Sequence, residues 1–317
     1  MEFPADPVLP APPAIPSVPG WALPRGPVTD PCEAAYMAGA ALNSLDHLVR
    51  SEPVWAGAWR QRLALKAAAA AARLCGHRED EAALRDAWHL RPSEVDPGPA
   101  GHLLAAWRRL AARSPVLGAD EVASLTHLLG LGRSETFQAL PAIIDEAIGT
   151  GRPAPLAAAA VAGRVATLGA HAEVLAWWCA DLVLSARMRW PVTVPILAAQ
   201  VHAPVLRAGS GRGRLRPGGD GFERGLCLAA AIGTAEACRL ARDIAGRARQ
   251  LAAVAPKLRT KGAGEVIRLL LEDDAVPGAV TTNTLSRWAT RRLFERLTTL
   301  EAVRELSGRP TFRLYGL

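Results

Sequence analysis

The longest regular stretch of the chain is Phe222–Val254, with the sequence FERGLCLAAAIGTAEACRLARDIAGRARQLAAV. At 100° per residue, its apolar and small residues fall within a stripe about 80° wide, and four arginines fall on the opposite side. This period predicts one long amphipathic helix that packs along its apolar side. We interpret the basic side as a solvated helix face, with a nucleic-acid or acidic-partner surface as the alternative. The four arginines are Arg224, Arg239, Arg242 and Arg249.

The sequence before this stretch has the same helical character. Its apolar residues are mostly Ala and Leu, which favour helices, and runs of β-branched residues are scarce. The pattern predicts an all-α, multi-helix, bundle-like body over residues 31–206. The predicted helices are Pro31–Arg50, Trp55–Leu74, Glu79–Leu90, Gly101–Arg113, Ala119–Leu129, Ser134–Ile148, Pro155–Leu168 and His171–Met188.

Two segments lack this periodicity. Residues 1–30 are rich in proline and are predicted to form a disordered or polyproline-like arm. Residues 207–221 form a loop rich in Gly and Arg, which is expected to be mobile because it cannot bury an apolar face. We place a soft boundary at this loop, before residues 222–261, which hold the long helix. The five cysteines include no C-x-x-C pair and are predicted to be buried free thiols.

Charge divides the chain at about the same place. Residues 205–317 contain 20 Lys and Arg against 11 Asp and Glu, whereas residues 1–204 contain 17 against 19. A basic C-terminal third favours a polyanion as partner. Neither a signal peptide nor a membrane span is predicted, because Glu2 and Asp6 are acidic and prolines break the longest uncharged run, Trp190–Leu206. The expected location is therefore the cytoplasm.

Residues 262–317, which we name the C-terminal module, have a different pattern. Short helices are predicted at Glu265–Leu271, from Thr281 or Thr282 to Trp288, and at Arg291–Leu300. Two strand-like runs then flank Ser307–Pro310, which is typical of a hairpin loop. Three helices followed by a short β-hairpin predict a small winged helix-turn-helix.

The third of these helices predicts a DNA-binding function. Its leucines and Phe294 share one face, and its arginines share the other, as a recognition helix requires. Arginine suits bidentate contacts with guanine and phosphate. The predicted partner is double-stranded DNA, bound by a monomer or a homodimer. The alternative is a folded cap or dimer piece without DNA contact. The candidate DNA-binding residues are Arg287, Arg291, Arg292, Arg296, Thr299, Arg309 and Arg313.

The densest polar group of the body lies around Arg78–Glu81. A carboxylate and an imidazole in one pocket could perform acid–base chemistry, so an enzyme is an alternative function. The simpler interpretation is a helix cap with an exposed salt-bridge face. A helical scaffold that binds a protein partner is a further alternative. The candidate pocket residues are Arg60, His77, Glu79, Asp80, Arg85 and Asp86.

No cofactor or metal site is predicted. The sequence lacks an H-E-x-x-H motif and a Cys/His pair at zinc spacing. Its Gly-rich loop lacks the G-x-x-x-x-G-K-[ST] spacing of a phosphate-binding loop.

Several stretches of the chain resemble known bacterial proteins. The run RRLFERLTTLEAVRELSGR (291–309) is similar to winged helices of bacterial regulators. Taken whole, the chain resembles the bacterial family of domain of unknown function 1403. This resemblance implies a bacterial protein, often carried on plasmids or other mobile elements, and implies no activity. It rests on WAGAWRQRLALKAAAAAARLCGHREDEAALRDAWHLR (55–91), DPGPAG (96–101), APKLRTKGAGEVIRLLL (255–271), LSRWATRRLFERL (285–297) and AVRELSGRPTFRLYGL (302–317).

Overall fold

The structure is a computed structural model that describes residues 15–92, 94–132, 134–208, 213–258, 260, 262–309 and 311–317. Its described residues are mostly helical, with a small antiparallel sheet near the C-terminus, which confirms the predicted fold class. The helices are α1 (Pro31–Arg50), α2 (Ala56–Leu74), α3 (Glu81–His89), α4 (Gly98–Leu110), α5 (Val122–Leu128), α6 (Leu140–Gly149), α7 (Ala154–Ala166), α8 (Glu173–Arg187), α9 (Phe222–Val254), α10 (Ala263–Glu272) and α11 (Arg287–Thr299). The strands are β1 (Val276–Pro277), β2 (Arg304–Glu305) and β3 (Leu314–Gly316).

Local signals in the sequence set several helix boundaries. The carboxylate of Asp30 accepts the N–H of Cys32 at 3.0 Å, and Pro31 occupies the first position of α1. The long helix α9 has the predicted bounds. The predicted helix over 134–148 instead divides into a 3₁₀ segment, Glu135–Ala139, and α6.

The long helix α9 packs along α1 and α7, while α7 also packs on α8, and α2 packs on α4. Two buried indole groups tie these layers together, because each donates to a backbone carbonyl of another helix. Trp59 Nε1 donates to the carbonyl of Ala237 at 3.0 Å, and Trp178 Nε1 donates to that of Ala106 at 3.2 Å.

A buried carboxylate organises the connection between α8 and α9. Asp181 accepts the backbone N–H groups of Ile196, Leu197 and Ala198 at 2.9, 2.7 and 3.2 Å. Burial raises the pKa of Asp181 to about 7, although these hydrogen bonds act in the opposite direction. The uncharged run around this segment is therefore part of the core. Within the described ranges, no helix is long and apolar enough to cross a bilayer.

The Pro-rich arm differs in part from the prediction. Residues 1–14 lie outside the described residues. Residues 15–30 pack against α1, with a 3₁₀ turn at Gly20–Ala22 and the ring of Trp21 stacked on Tyr36 at 5.6 Å. Ala22 is fully buried, and Val18 and Val28 pack against the core, so this part of the arm is attached to the body.

The Gly/Arg-rich loop has some regular contacts. Arg207 and Arg214 form an isolated antiparallel bridge, and the N–H of Leu215 donates to the carbonyl of Leu206 at 2.7 Å. Residues 209–212, at the middle of the loop, lie outside the described residues.

The prediction that all five cysteines are buried is wrong for two of them. Cys32 and Cys75 are exposed, whereas Cys179, Cys227 and Cys238 are buried. All five thiols are free, as predicted.

The C-terminal module places α10, β1, α11, β2 and β3 in chain order. Strand β3 lies between β1 and β2 and is antiparallel to both, with Val276 opposite Tyr315 and Arg304 opposite Gly316. The predicted short β-hairpin is therefore present as β2 and β3. Ring stacking of Phe294 on Tyr315, with centroids 4.4 Å apart, attaches α11 to this sheet.

The predicted second helix of the module is wrong. The described residues between β1 and α11 form turns, because the threonines cap the backbone locally rather than starting a helix. Thr282 Oγ1 accepts the N–H groups of Thr284 and Leu285 at 3.3 and 3.1 Å. Ser286 instead caps α11 through the N–H of Ala289, so that Arg287 and Trp288 fall in the first turn of α11.

Candidate nucleic-acid interface

The apolar side of α11 is fixed on the C-terminal module. Leu293, Phe294 and Leu297 are buried, and they lie at the spacing of one helix face. The carbonyl of Leu300, just after α11, accepts the side-chain amide of Gln250 on α9 at 3.0 Å. The orientation of α11 is therefore set from both the module and the body.

The opposite side of α11 faces solvent. Arg287, Arg291, Arg292, Arg296 and Thr299, which the sequence predicts to contact DNA, are all exposed. One carboxylate interrupts this basic side, since Arg291 Nε lies 3.2 Å from Glu295 Oε1 in an exposed pair. Exposed pairs of this kind contribute little stability, so they do not hold the arginine away from another anion.

Each described arginine of the hairpin loop has an acidic neighbour. Arg313 Nε lies 3.5 Å from Glu305 Oε2, on the adjacent strand. Arg309 Nη2 lies 2.6 Å from Asp86 Oδ2, on α3 of the body. Both arginines remain about half exposed, so their guanidinium groups can still reach a phosphate.

A cleft of about 470 Å³ lies between α11 and the hairpin; we name it the α11–hairpin cleft. Two exposed aromatic side chains line it: Trp288, which is 73% exposed, and Phe312, which is 74% exposed. Arg287, Arg291 and Arg313 line it too. Sequence reasoning placed Trp288 in another helix and Phe312 in a strand, so it missed this cleft. Large aromatics beside arginines were the available signal.

A buried ionic cluster joins the C-terminal module to the body. Asp274 follows α10 and is 2% exposed; its carboxylate pairs with Arg62 of α2 and with Arg85 of α3, the latter at 2.5 Å. Burial, with a smaller contribution from Arg85, lowers the pKa of Arg62 to about 9, so Arg62 stays charged at neutral pH. The cluster therefore fixes the module on α2 and α3.

The preceding residue extends this cluster. Asp273 accepts two hydrogen bonds from Arg108 of α4, at 2.8 and 2.9 Å. His89 Nε2 lies 4.0 Å from the same carboxylate, and burial lowers the pKa of His89 to about 4. The sequence offered one signal for this cluster, an acidic pair directly after an apolar helix.

The six candidate pocket residues separate into different environments. Arg60 Nε donates to the carbonyl of Ala111 at 3.2 Å, while Arg85 and Asp86 make the pairs described above. The other three share an open cavity of about 510 Å³ with basic side chains of α2 and with His202. In that cavity, Asp80 is engaged as the cap of α3, since it accepts the N–H of Ala83 at 2.9 Å. The three that share the cavity are His77, Glu79 and Asp80.

Among the described residues, no group of three or more His, Cys, Asp or Glu side chains is arranged to hold a metal ion.

Comparison with known proteins identifies a family. No curated protein matches the sequence significantly. Residues 11–317 match the family described as "Protein of unknown function (DUF1403)", which is nearly the whole chain. The chain therefore belongs to the DUF1403 family.

Proposed function

We propose that this protein binds double-stranded DNA through its C-terminal module, as a transcriptional or plasmid-maintenance regulator. Helix α11 enters the major groove and the β2–β3 hairpin contacts the phosphate backbone. One observation carries the proposal: α11 is held by its buried apolar side while its arginines all face solvent. A basic helix that the body covered could not act in this way.

The order of elements supports this mode of binding. A winged helix has a hairpin after its recognition helix. Here the β2–β3 hairpin follows α11, and Phe294 of α11 stacks on Tyr315 of β3. The module departs from that pattern in one respect, since turns replace a helix between β1 and α11. The departure leaves the exposed side of α11 open.

The charge distribution supports a polyanion as the partner. Residues 205–317 carry a formal net charge of +9, whereas the rest of the chain carries −2. Binding that depends on arginine–phosphate contacts weakens steeply with salt, because each contact releases a condensed counterion. If about five phosphates are contacted, affinity falls about 10²- to 10³-fold between about 50 and about 200 mM salt.

The test removes three charges from α11. We expect Arg291→Ala, Arg292→Ala and Arg296→Ala together to weaken binding to a fluorescein-labelled duplex by more than about tenfold at low salt. In the same variant, the plot of log affinity against log salt becomes less steep, and the magnitude of its slope decreases by about three. Fluorescence anisotropy measures both quantities, and circular dichroism checks that the variant is folded.

The matched control removes three exposed arginines from α9. The variant carries Arg239→Ala, Arg242→Ala and Arg249→Ala, so it loses the same charge from a surface outside the module. We expect its affinity to fall less than threefold. Equal losses in the two triple variants would assign binding to net charge and remove the proposed role of α11. Unchanged binding after substitution of α11 would do the same.

We also propose that the protein binds DNA as a homodimer. Two copies of α11 would reach successive turns of one DNA face if the dimer axis coincided with the axis of a palindromic site. Sedimentation velocity with and without duplex measures the stoichiometry.

A further inference from the structure

We propose that the α11–hairpin cleft binds a single unpaired nucleotide of DNA, whose base stacks on Trp288 and Phe312. The inference rests on the proposed function, because it assigns a second contact to the same DNA-binding module. It differs from groove reading by α11, since it requires a base outside the double helix.

Two exposed aromatic side chains are suited to contact a base in the cleft. Trp288 and Phe312 are among the most exposed large apolar side chains of the described residues, and both line one cleft. Most tryptophans of the chain are buried, and the other strongly exposed one, Trp21, already stacks on Tyr36. Two uncovered aromatic faces in one cleft are suited to stacking of a nucleobase, which every base permits.

The backbone of Phe312 adopts an unusual conformation that directs its side chain outward. Its φ of +55° lies in the left-handed region, which a bulky side chain rarely adopts. The hairpin holds the backbone just after Phe312, because the N–H of Leu306 donates to the carbonyl of Leu314 at 2.8 Å and Ser307 Oγ accepts a hydrogen bond from the N–H of Leu314 at 3.2 Å. The strained residue projects its ring outward instead of into the core.

The side chains that line the cleft carry more positive than negative charge. Three arginines line it, Arg287, Arg291 and Arg313, against one carboxylate, that of Glu295. A cleft with aromatic faces and excess positive charge matches a base joined to a phosphate. Arg291 and Arg313 already pair with the carboxylates of Glu295 and Glu305. A purely apolar partner would therefore desolvate Arg287 without supplying an anion.

The size of the cleft and the close packing of its floor suit one bound nucleotide. Its volume of about 470 Å³ is in the range of small-ligand sites and fits one nucleotide. Gly278 lies beside the ring of Tyr315, so that an added Cβ would stand 2.8 Å from that ring. Its N–H donates to the carbonyl of Arg313 at 2.8 Å, which fixes the floor to the hairpin.

The experiment compares two labelled duplexes of identical sequence, one fully paired and one with a single extra unpaired thymidine. Moving a base out of the double helix costs free energy for unpairing and unstacking. This cost is smaller for an unpaired base, because no base pair has to be broken. We expect the full-length protein to bind the bulged duplex about tenfold more tightly in fluorescence anisotropy. Trp288→Ala and Phe312→Ala each reduce this preference to about one, while both variants still bind the paired duplex.

Trp21→Ala serves as the control, because it removes an exposed tryptophan outside the module and should retain the preference. Equal affinity of the natural protein for the two duplexes overturns the inference, and so does a preference that survives both module substitutions. If that result accompanies paired-duplex binding that depends on the α11 arginines, the proposed function stands and only the inference fails. If neither duplex binds at low salt, both fail. A loss of self-association in Trp288→Ala, without any duplex preference, assigns the cleft to protein contact and also overturns the inference.

Discussion

Arg309 in the hairpin loop and Asp86 on α3 form an ion pair of 2.6 Å, which joins the tip of the C-terminal module to the body. The carboxylate occupies the position that a DNA phosphate would take on the same guanidinium group. Asp86 is 13% exposed and Arg309 is 55% exposed, so the acid is held by the body while the base can be reached from outside. The pair therefore competes with the proposed contact between the hairpin and DNA.

Substitution Asp86→Asn tests this competition. Partly exposed ion pairs contribute about 0.2–1 kcal/mol, so removal of the Asp86 carboxylate should raise duplex affinity about 1.4- to 5-fold at low salt. Asp145→Asn, at an exposed carboxylate on α6, is the control for the change in net charge. Anisotropy titrations of both variants provide the measurement. An increase that is equal in the two variants would show that only net charge matters, and no increase would show that Asp86 does not compete.

Asp274 is expected to be among the most important polar residues for stability. Asp274→Ala leaves Arg62 and Arg85 buried without their carboxylate, so we expect unfolding to become easier by about 3–5 kcal/mol. The control is Glu272→Ala, which removes an exposed pair with Arg268 and should cost less than about 0.5 kcal/mol. Denaturant unfolding followed by circular dichroism measures both. Similar values for the two variants would contradict the assigned role of the buried cluster.

His89 should make stability depend on pH below neutrality. Burial lowers its pKa in the folded protein to about 4, from 6.5 in the unfolded chain. Between pH 6.5 and 4 the unfolded state therefore binds more protons than the folded state. The contribution of His89 to the free energy of unfolding is complete above pH 6.5 and is lost as pH falls towards 4. A shift of this size corresponds to about 3 kcal/mol at most.

The opposite shift at Asp181 partly hides this effect. Its pKa is raised to about 7 from 3.8, so its contribution is largest at low pH and is lost as pH rises through 7. The measurement is therefore the difference in unfolding free energy between the natural protein and His89→Gln, from pH 8 down to pH 4. We expect this difference to shift steadily in favour of His89→Gln as pH falls from 6.5. A constant difference across the range would contradict the assignment.

Two glycines of α9 should respond oppositely to the same substitution. At Gly233 an added Cβ would lie 2.6 Å from the carbonyl oxygen of Ile196, whereas at Gly246 it meets no atom within 4 Å. Gly233→Ala should destabilise the protein by about 1–3 kcal/mol through overpacking. Gly246→Ala should stabilise it by about 0.5–1 kcal/mol, because Ala favours helix. Thermal unfolding measures both, and shifts of the same sign would contradict the close packing of α9 on the Ile196 segment.

The helices were predictable where local signals agreed with the apolar period. Asp30 and Pro31 start α1, and the stripe of α9 continues without interruption from Phe222 to Val254. The failure between β1 and α11 has a local cause, since a threonine can cap a turn as well as a helix. Thr282 caps a turn, and the cap of α11 is Ser286.

The candidate interface was predictable in its helix and not in its surroundings. The two faces of α11 follow from residue spacing alone, so its arginines could be identified. The pairing of Arg309 with Asp86 joins residues more than 200 positions apart, and no periodicity relates them. The cleft likewise depends on how the hairpin folds back beside Trp288.

The sequence by itself determined the helical class, the long amphipathic helix α9 and the basic character of the last third. These properties follow from side-chain period and charge, which act between neighbours along the chain. Only the tertiary structure decided that Asp274 would bind two arginines of the body, and that the six candidate pocket residues would separate into different environments. Such contacts arise when distant segments pack together, because burial makes each charged group depend on whichever partner the fold brings within reach.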